Sequence, residues 1–117
     1  MSESIFKVVV ERARAKVSLR ACWTQHASAR TCNGRECDPL DPAAVRFCGF
    51  GALVRAAYEL TGDKSLSLRV AQQTAQQLTG CTTPIEAVAE LQAISDQPSA
   101  AARSAILHLY EAALARA

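Results

Sequence analysis

The stretch that decides the fold is Asp41-Pro42-Ala43-Ala44-Val45-Arg46-Phe47-Cys48-Gly49-Phe50-Gly51-Ala52-Leu53. Asp41 has the side chain of a helix N-cap, and Pro42 suits the first helical position, where a missing N–H costs nothing. A glycine inside a helix costs about 1 kcal/mol relative to alanine, so Gly49 and Gly51 indicate that another element approaches this backbone closely. We therefore predict a buried helix over positions 42–61.

The composition favours a single helical domain over residues 1–117. Half of the residues are apolar and few are aromatic, and β-branched runs are nearly absent outside Val8-Val9-Val10, which favours helix over strand. A net charge of +2 is too small to indicate a nucleic-acid partner. No apolar run reaches the ~20 residues of a membrane span, and acidic Glu3 stands where a signal peptide would carry lysine. We expect a cytoplasmic protein with no membrane partner.

Five segments have the apolar spacing of amphipathic helices, at positions 4–19, 42–61, 65–80, 83–95 and from a Ser99 cap almost to the C-terminus. Their short connections predict an all-α, compact bundle of four to five helices with one irregular loop insert at about 21–40. The residues predicted to face the core include Ile5, Val8, Val9, Ala13, Val17, Val45, Cys48, Ala52, Leu53, Leu68, Ala71, Ala75, Leu78, Ile85, Val88, Leu91, Ala102, Ala105, Ile106, Leu109 and Ala113.

The insert contains the only tryptophan of the chain. Trp23 can bury a large apolar area, so we predict that it anchors the insert in the core. Asn33-Gly34 is a strong turn signal, and the residues on either side of it can pair as a short β-ribbon.

The chain resembles a bacterial and phage family of small helical domains of unknown function. The resemblance rests on a Trp-x-Gln element at Trp23 and Gln25, on the segment from Asp41 to Leu53, and on a closing segment that begins at Ser95. The family pattern in the middle segment is Asp-Pro-x-Ala-Val-Arg-aromatic-Cys-x-x-Gly-Ala-Leu. The chain departs from the family at His26, where glycine is expected, and at Ser95, where a bulkier residue or an asparagine-led turn is commoner. The resemblance implies a helical fold and no catalytic or ligand residue.

The cysteines are the clearest chemical signal in the sequence. Zinc requires three or four converging soft or imidazole ligands, and the possible ligands lie close together in sequence: Cys22, His26, Cys32, Cys37 and Cys48. Their spacing is not that of two tight ligand pairs, so we expect free thiols and no cofactor, with zinc as the alternative. A disulfide between Cys32 and Cys37 across the turn is a further option, although a cytoplasmic chain would keep it reduced.

Trp23, Gln25 and Arg46 are the candidate contacts for a partner or ligand. The guanidinium of Arg46 either pairs with an acid such as Asp38 or Asp41, or contacts an anion or a partner. No nucleophile, base and orienting group stand out together, so we identify no catalytic residue. We predict a protein-interaction or self-association module, and for self-association a two-fold homodimer, because such dimers are the commonest assembly. The alternative is a metal- or small-ligand-binding domain that uses the cysteine loop.

Overall fold

A computed structural model describes residues 2–98 and 100–116 and contains five helices and three short strands. In chain order these are α1 (Glu3–Val17), β1 (Ala29–Arg30), β2 (Glu36–Cys37), β3 (Arg46–Phe47), α2 (Gly49–Thr61), α3 (Lys64–Thr79), α4 (Pro84–Ser95) and α5 (Ala101–Arg116), with a 3₁₀ turn at Arg20–Cys22. The predicted compact, mainly helical fold is confirmed. The strands add a small sheet that the all-α prediction lacked. No helix in the described ranges is long and apolar enough to cross a membrane.

The helix ends follow local sequence signals. The hydroxyl of Ser2 accepts from the amide of Ile5 at the start of α1, and the carboxylate of Asp63 accepts from Leu66 at the start of α3. Thr83 caps α4, which begins at Pro84, close to the predicted start at position 83. Gly62 ends α2 with φ +69°, a left-handed conformation that glycine adopts without strain. The predicted cap at Ser99 lies outside the described residues.

Helix α2 is the central element of the core and packs against α1, α3 and α4. Its first nine residues are almost continuously buried because elements cover it on several sides. Of the predicted core, Cys48, Ala52 and Leu53 are buried, whereas Val88 and Leu109 are partly buried against it. Tyr110, which is fully buried on α5, was not among the residues predicted to face the core.

Several residues predicted to be buried are exposed. Ile85 is 83% exposed, because the buried stripe of α4 runs through Ala87 and Leu91 and position 85 is about 200° from position 87 around the helix. Leu68 is 46% exposed because it lies at the edge of the buried stripe of α3, which runs through Ser67 and Ala71. Ile5 is also exposed, because the first turns of α1 bury Phe6, Val9 and Val10 instead.

The predicted start of the second helix is wrong. Helix α2 begins at Gly49, seven positions later than predicted, and Asp41 instead closes a turn in which its carboxylate accepts from the amide of Ala43 (2.8 Å). The chain then extends into β3, and Val45 is 45% exposed. The amide of Val45 donates to the carbonyl oxygen of Arg30 (3.0 Å), so pairing with a distant strand replaces the helix here.

The three strands form an antiparallel sheet in the order β2-β1-β3. Ala29 lies opposite Cys37 on one side and Phe47 on the other. The β1–β2 pair is the ribbon predicted around Asn33-Gly34. Trp23 forms a parallel bridge with Phe47 and is partly buried against the core, so the insert is attached to the bundle through β3.

Candidate functional site

The beginning of α2 is fixed by three other parts of the chain. The amide of Cys48 donates to the carbonyl oxygen of Ser28 in the insert (3.2 Å), and the amide of Gly49 donates to the hydroxyl of Ser95 on α4 (3.1 Å). From α5, the hydroxyl of Tyr110 donates to the carbonyl oxygen of Gly49. Cys48 and Gly49 therefore have a structural role, because they join the insert to α4 and α5.

Cys48 is the N-cap of α2 and is buried. Its sulfur accepts from the amide of Gly51 (3.3 Å). Burial raises the pKa of the Cys48 thiol, although the hydrogen bonds from the amides of Gly51 and Phe50 act in the opposite direction. A thiol with a raised pKa is a poor nucleophile near neutral pH.

A polar cleft of about 390 Å³ lies beside Cys48. His26 and Asp96 are also in its wall, and Nδ1 of His26 lies 3.8 Å from a carboxylate oxygen of Asp96. In the described residues no hydrogen bond joins the Cys48 sulfur to the His26 ring. The cleft therefore lacks the contact between nucleophile and base that thiol catalysis uses.

Gln25 and His26 attach the insert to the end of α4. The side-chain amide of Gln25 donates to the carbonyl oxygens of Ser95 (2.8 Å) and Gln97 (2.7 Å). The backbone amide of His26 donates to the carboxylate of Asp96 (2.7 Å). His26 has φ +62°, the left-handed region that favours glycine, which gives a physical reason for the glycine expected at this position.

The five cysteines are all free and differ in exposure. Cys32 is exposed, Cys48 is buried, and the others are intermediate. Within residues 2–98 and 100–116, no group of three or more His, Cys, Asp or Glu side chains is arranged to hold a metal ion. The candidate ligands Cys22, His26, Cys32 and Cys37 are therefore not brought together in this structure.

Arg46 does not form the expected ion pair with Asp38 or Asp41. It lies on β3 directly opposite Arg30, and within the described ranges it forms no ion pair. Arg55, for which the sequence carries no signal, contacts the loop that contains the two acids. Its guanidinium donates to the carbonyl oxygens of Pro39 (2.9 Å) and Asp41 (2.8 Å) and so fixes this loop over α2.

An apolar cleft of about 740 Å³ lies between this loop and helices α2 and α3. We call it the loop 38–42 cleft. Apolar residues of α2, α3 and the loop form its wall. Its charged residues are Asp38 and Asp41 on the loop and Lys64 on α3. The lining residues are Ser28, Asp38, Pro39, Leu40, Asp41, Pro42, Phe50, Val54, Lys64 and Leu68.

Two of the predicted contact residues, Trp23 and Gln25, lie together in another cleft of about 470 Å³. We call it the Trp23 cleft. Arg20 and Arg103 supply its positive charge. Arg46 is not among its lining residues, so the structure brings together two of the three predicted contacts. Arg103 had no sequence signal, because it reaches this cleft only when the first turn of α5 meets the residues after α1.

The sequence profile of a family of unknown function, DUF6197, matches residues 2–115. The chain belongs to this family. Membership in DUF6197 confirms the resemblance to a small-domain family of unknown function and covers nearly the whole chain. No curated protein and no solved structure matches the chain.

Proposed function

We propose that this domain is a protein-interaction module whose loop 38–42 cleft binds an apolar segment of a partner protein. The observation that supports the proposal is the cleft itself, which has a volume of about 740 Å³ and walls formed largely by apolar side chains. Clefts of several hundred Å³ with apolar walls and a few polar groups are typical binding sites.

The cleft contains apolar surface that the chain leaves uncovered. Phe50 and Val54 are buried and form a firm base on α2, whereas Leu68 on α3 is 46% exposed. A partner side chain that covers Leu68 would remove apolar area from water, at roughly 25 cal/mol for each Å². This favours an occupant with one or two large apolar residues.

The loop wall is formed before any partner arrives. Arg55 holds two carbonyl oxygens of the loop, and the carboxylate of Asp38 accepts from the amide of Leu40 (2.8 Å). A wall that is ordered in advance reduces the entropy lost on binding.

The charges at the cleft favour one orientation of the partner. Asp38 and Asp41 lie on the loop side, and Lys64 lies at the start of α3 on the other side. A segment with a basic residue toward the loop and an acidic residue toward α3 would be complementary to them.

A selection from a phage-displayed peptide library tests this proposal. We expect the wild-type chain to select peptides with large apolar residues, and Leu68→Asp to bind the same peptides at least tenfold more weakly. Ile85→Asp is the matched control, since Ile85 is exposed on α4 and does not line the cleft. Peptides that bind wild type and Leu68→Asp equally would contradict the proposal.

A second copy of the chain is the other possible occupant, as in the homodimer considered from the sequence. Sedimentation of the wild type and of Leu68→Asp distinguishes the two. A wild-type dimer that Leu68→Asp converts to a monomer would assign the cleft to self-association. The metal-binding alternative has less support, because the described cysteine and histidine side chains do not converge.

A further inference from the structure

The Trp23 cleft differs in chemistry from the loop 38–42 cleft. Its lining residues are Arg20, Trp23, Gln25, Pro98, Ala100 and Arg103. This set contains two guanidinium groups and no carboxylate. In the described part of the chain, neither Arg20 nor Arg103 forms an ion pair, so the protein does not neutralise their charge locally.

Arg103 is held in place by neutral acceptors. Its guanidinium donates to the carbonyl oxygens of Val17 (3.3 Å) and Ser18 (2.7 Å) at the end of α1. These bonds orient the side chain while its charge remains available, because a carbonyl oxygen has no full negative charge. Arg20 is exposed and is therefore free to move toward a bound anion.

Trp23 supplies a flat apolar surface in the same wall. Its side chain is only partly buried, and its indole N–H donates to no acceptor in the described residues. Gln25 uses its NH₂ group on Ser95 and Gln97, so its amide oxygen remains as an acceptor. The side-chain N–H groups in this wall that have no acceptor in the described residues are therefore the indole N–H of Trp23, the guanidinium of Arg20, and the Nε and Nη2 groups of Arg103, whose Nη1 alone donates to Val17 and Ser18.

We propose that the Trp23 cleft binds a small molecule in which a carboxylate or phosphate is attached to a planar ring. The guanidinium groups of Arg20 and Arg103 bind the anionic group, and the ring packs against the indole of Trp23. The cleft volume of about 470 Å³ is suitable for a ligand of this size. This site is independent of the proposed function of the loop 38–42 cleft.

The intrinsic fluorescence of Trp23 provides a direct test, because the chain has no other tryptophan. Phenyl phosphate and benzoate are the probes, and their relative affinities show which anionic group the site prefers. Benzyl alcohol keeps the ring without the charge, and inorganic phosphate keeps a charge without the ring. We expect at least one of the two aromatic anions to change the emission and to bind at least tenfold more tightly than either of these controls.

Arg20→Gln is the critical variant, since Arg103→Gln would also remove hydrogen bonds to α1. We expect Arg20→Gln to weaken binding of the aromatic anion at least tenfold. Arg69→Gln is the matched control, because Arg69 is exposed on α3 and does not line the cleft. Equal binding to the wild type and to Arg20→Gln would overturn the proposal. So would the absence of binding by both aromatic anions, or equal affinity for inorganic phosphate or benzyl alcohol.

Discussion

The carbonyl oxygen of Ser28 lies 1.9 Å from the point at which a Cβ atom on Gly51 would stand. The insert and the first turn of α2 are therefore in direct backbone contact at Gly51. Ser28 also accepts from the amide of Cys48 through the same oxygen (3.2 Å). This is the close approach of another element that Gly49 and Gly51 predicted from the sequence.

We expect Gly51→Ala to lower the free energy of unfolding by about 3 kcal/mol, because backbone must move to accept the new methyl group. Gly34→Ala is the control. Gly34 has φ +83° but no atom within 4 Å of its Cβ position. Gly34→Ala should therefore lower the free energy of unfolding only through backbone strain, by about 1 kcal/mol. Urea denaturation of both variants measures the difference, and equal losses would contradict the close approach.

The sequence could predict the five helices because their signals are local. Ser2, Asp63 and Thr83 cap helices through hydrogen bonds to amides three residues later, and apolar spacing marks the inner faces. Asp41-Pro42 carries the same local signal, yet Asp41 closes a turn, because an aspartate that accepts from a nearby amide suits turns as well as helix caps. The extended segment that follows depends on β1, and no local signal reveals that partner.

The candidate sites were less predictable than the fold. Trp23 and Gln25 were identified from the sequence and Arg20 is close to them in the chain, but Arg103 joins them only because α5 packs against the end of α1. Leu68 was expected in the core, although its exposure makes it part of the loop 38–42 cleft. The spacing of apolar residues predicts which face of a helix is apolar, but it does not predict which part of that face the rest of the chain leaves uncovered.

The backbone of His26 gives a second stability prediction. A non-glycine residue in the left-handed region costs about 1–2 kcal/mol, and the exposed contact of the His26 ring with the Asp96 carboxylate, across 3.8 Å, contributes little. We expect His26→Gly to be more stable than His26→Ala by about 1 kcal/mol. Thermal and urea unfolding of the two variants measure this difference. An alanine variant as stable as the glycine variant would show that position 26 carries no strain.

The stability of the protein should fall at alkaline pH. Burial raises the pKa of Tyr110 well above its usual value, with a smaller contribution from Cys48, and burial also raises the pKa of the Cys48 thiol. The unfolded chain loses these protons first, above about pH 8.5 for cysteine and about pH 10 for tyrosine. The folded state then binds more protons, so stability decreases as the pH rises.

Urea denaturation in reducing buffer between pH 7 and 10.5 measures this decrease. Each proton that the folded state retains contributes a slope of at most about 1.4 kcal/mol per pH unit. Cys48→Ala should have a shallower decline just above pH 8.5 than the wild type, whereas Cys32→Ala should not, because Cys32 is exposed. Identical slopes for the wild type and Cys48→Ala would contradict the assignment.

We expect the purified protein to contain no stoichiometric zinc. The described side chains do not include a group of three or more possible ligands arranged around one point. Elemental analysis of protein prepared without chelator measures the metal content. One zinc per chain, together with loss of the insert's structure on chelation, would instead support a site formed by Cys22, His26, Cys32 and Cys37.

The thiols should react with iodoacetamide in a defined order. Cys32 is exposed and should react first, whereas Cys37 is partly buried and its pKa is raised by burial and by the nearby carboxylates of Asp41 and Asp38. Only the thiolate attacks the reagent, so Cys37 should react more slowly than Cys32. Cys48 should react last, because its buried sulfur requires opening of the α2 start. Peptide mass spectrometry over a time course gives the rate of each thiol. Cys32→Ser is the control and should remove the fast phase. Labelling of Cys48 as fast as Cys32 would show that the start of α2 is not closed.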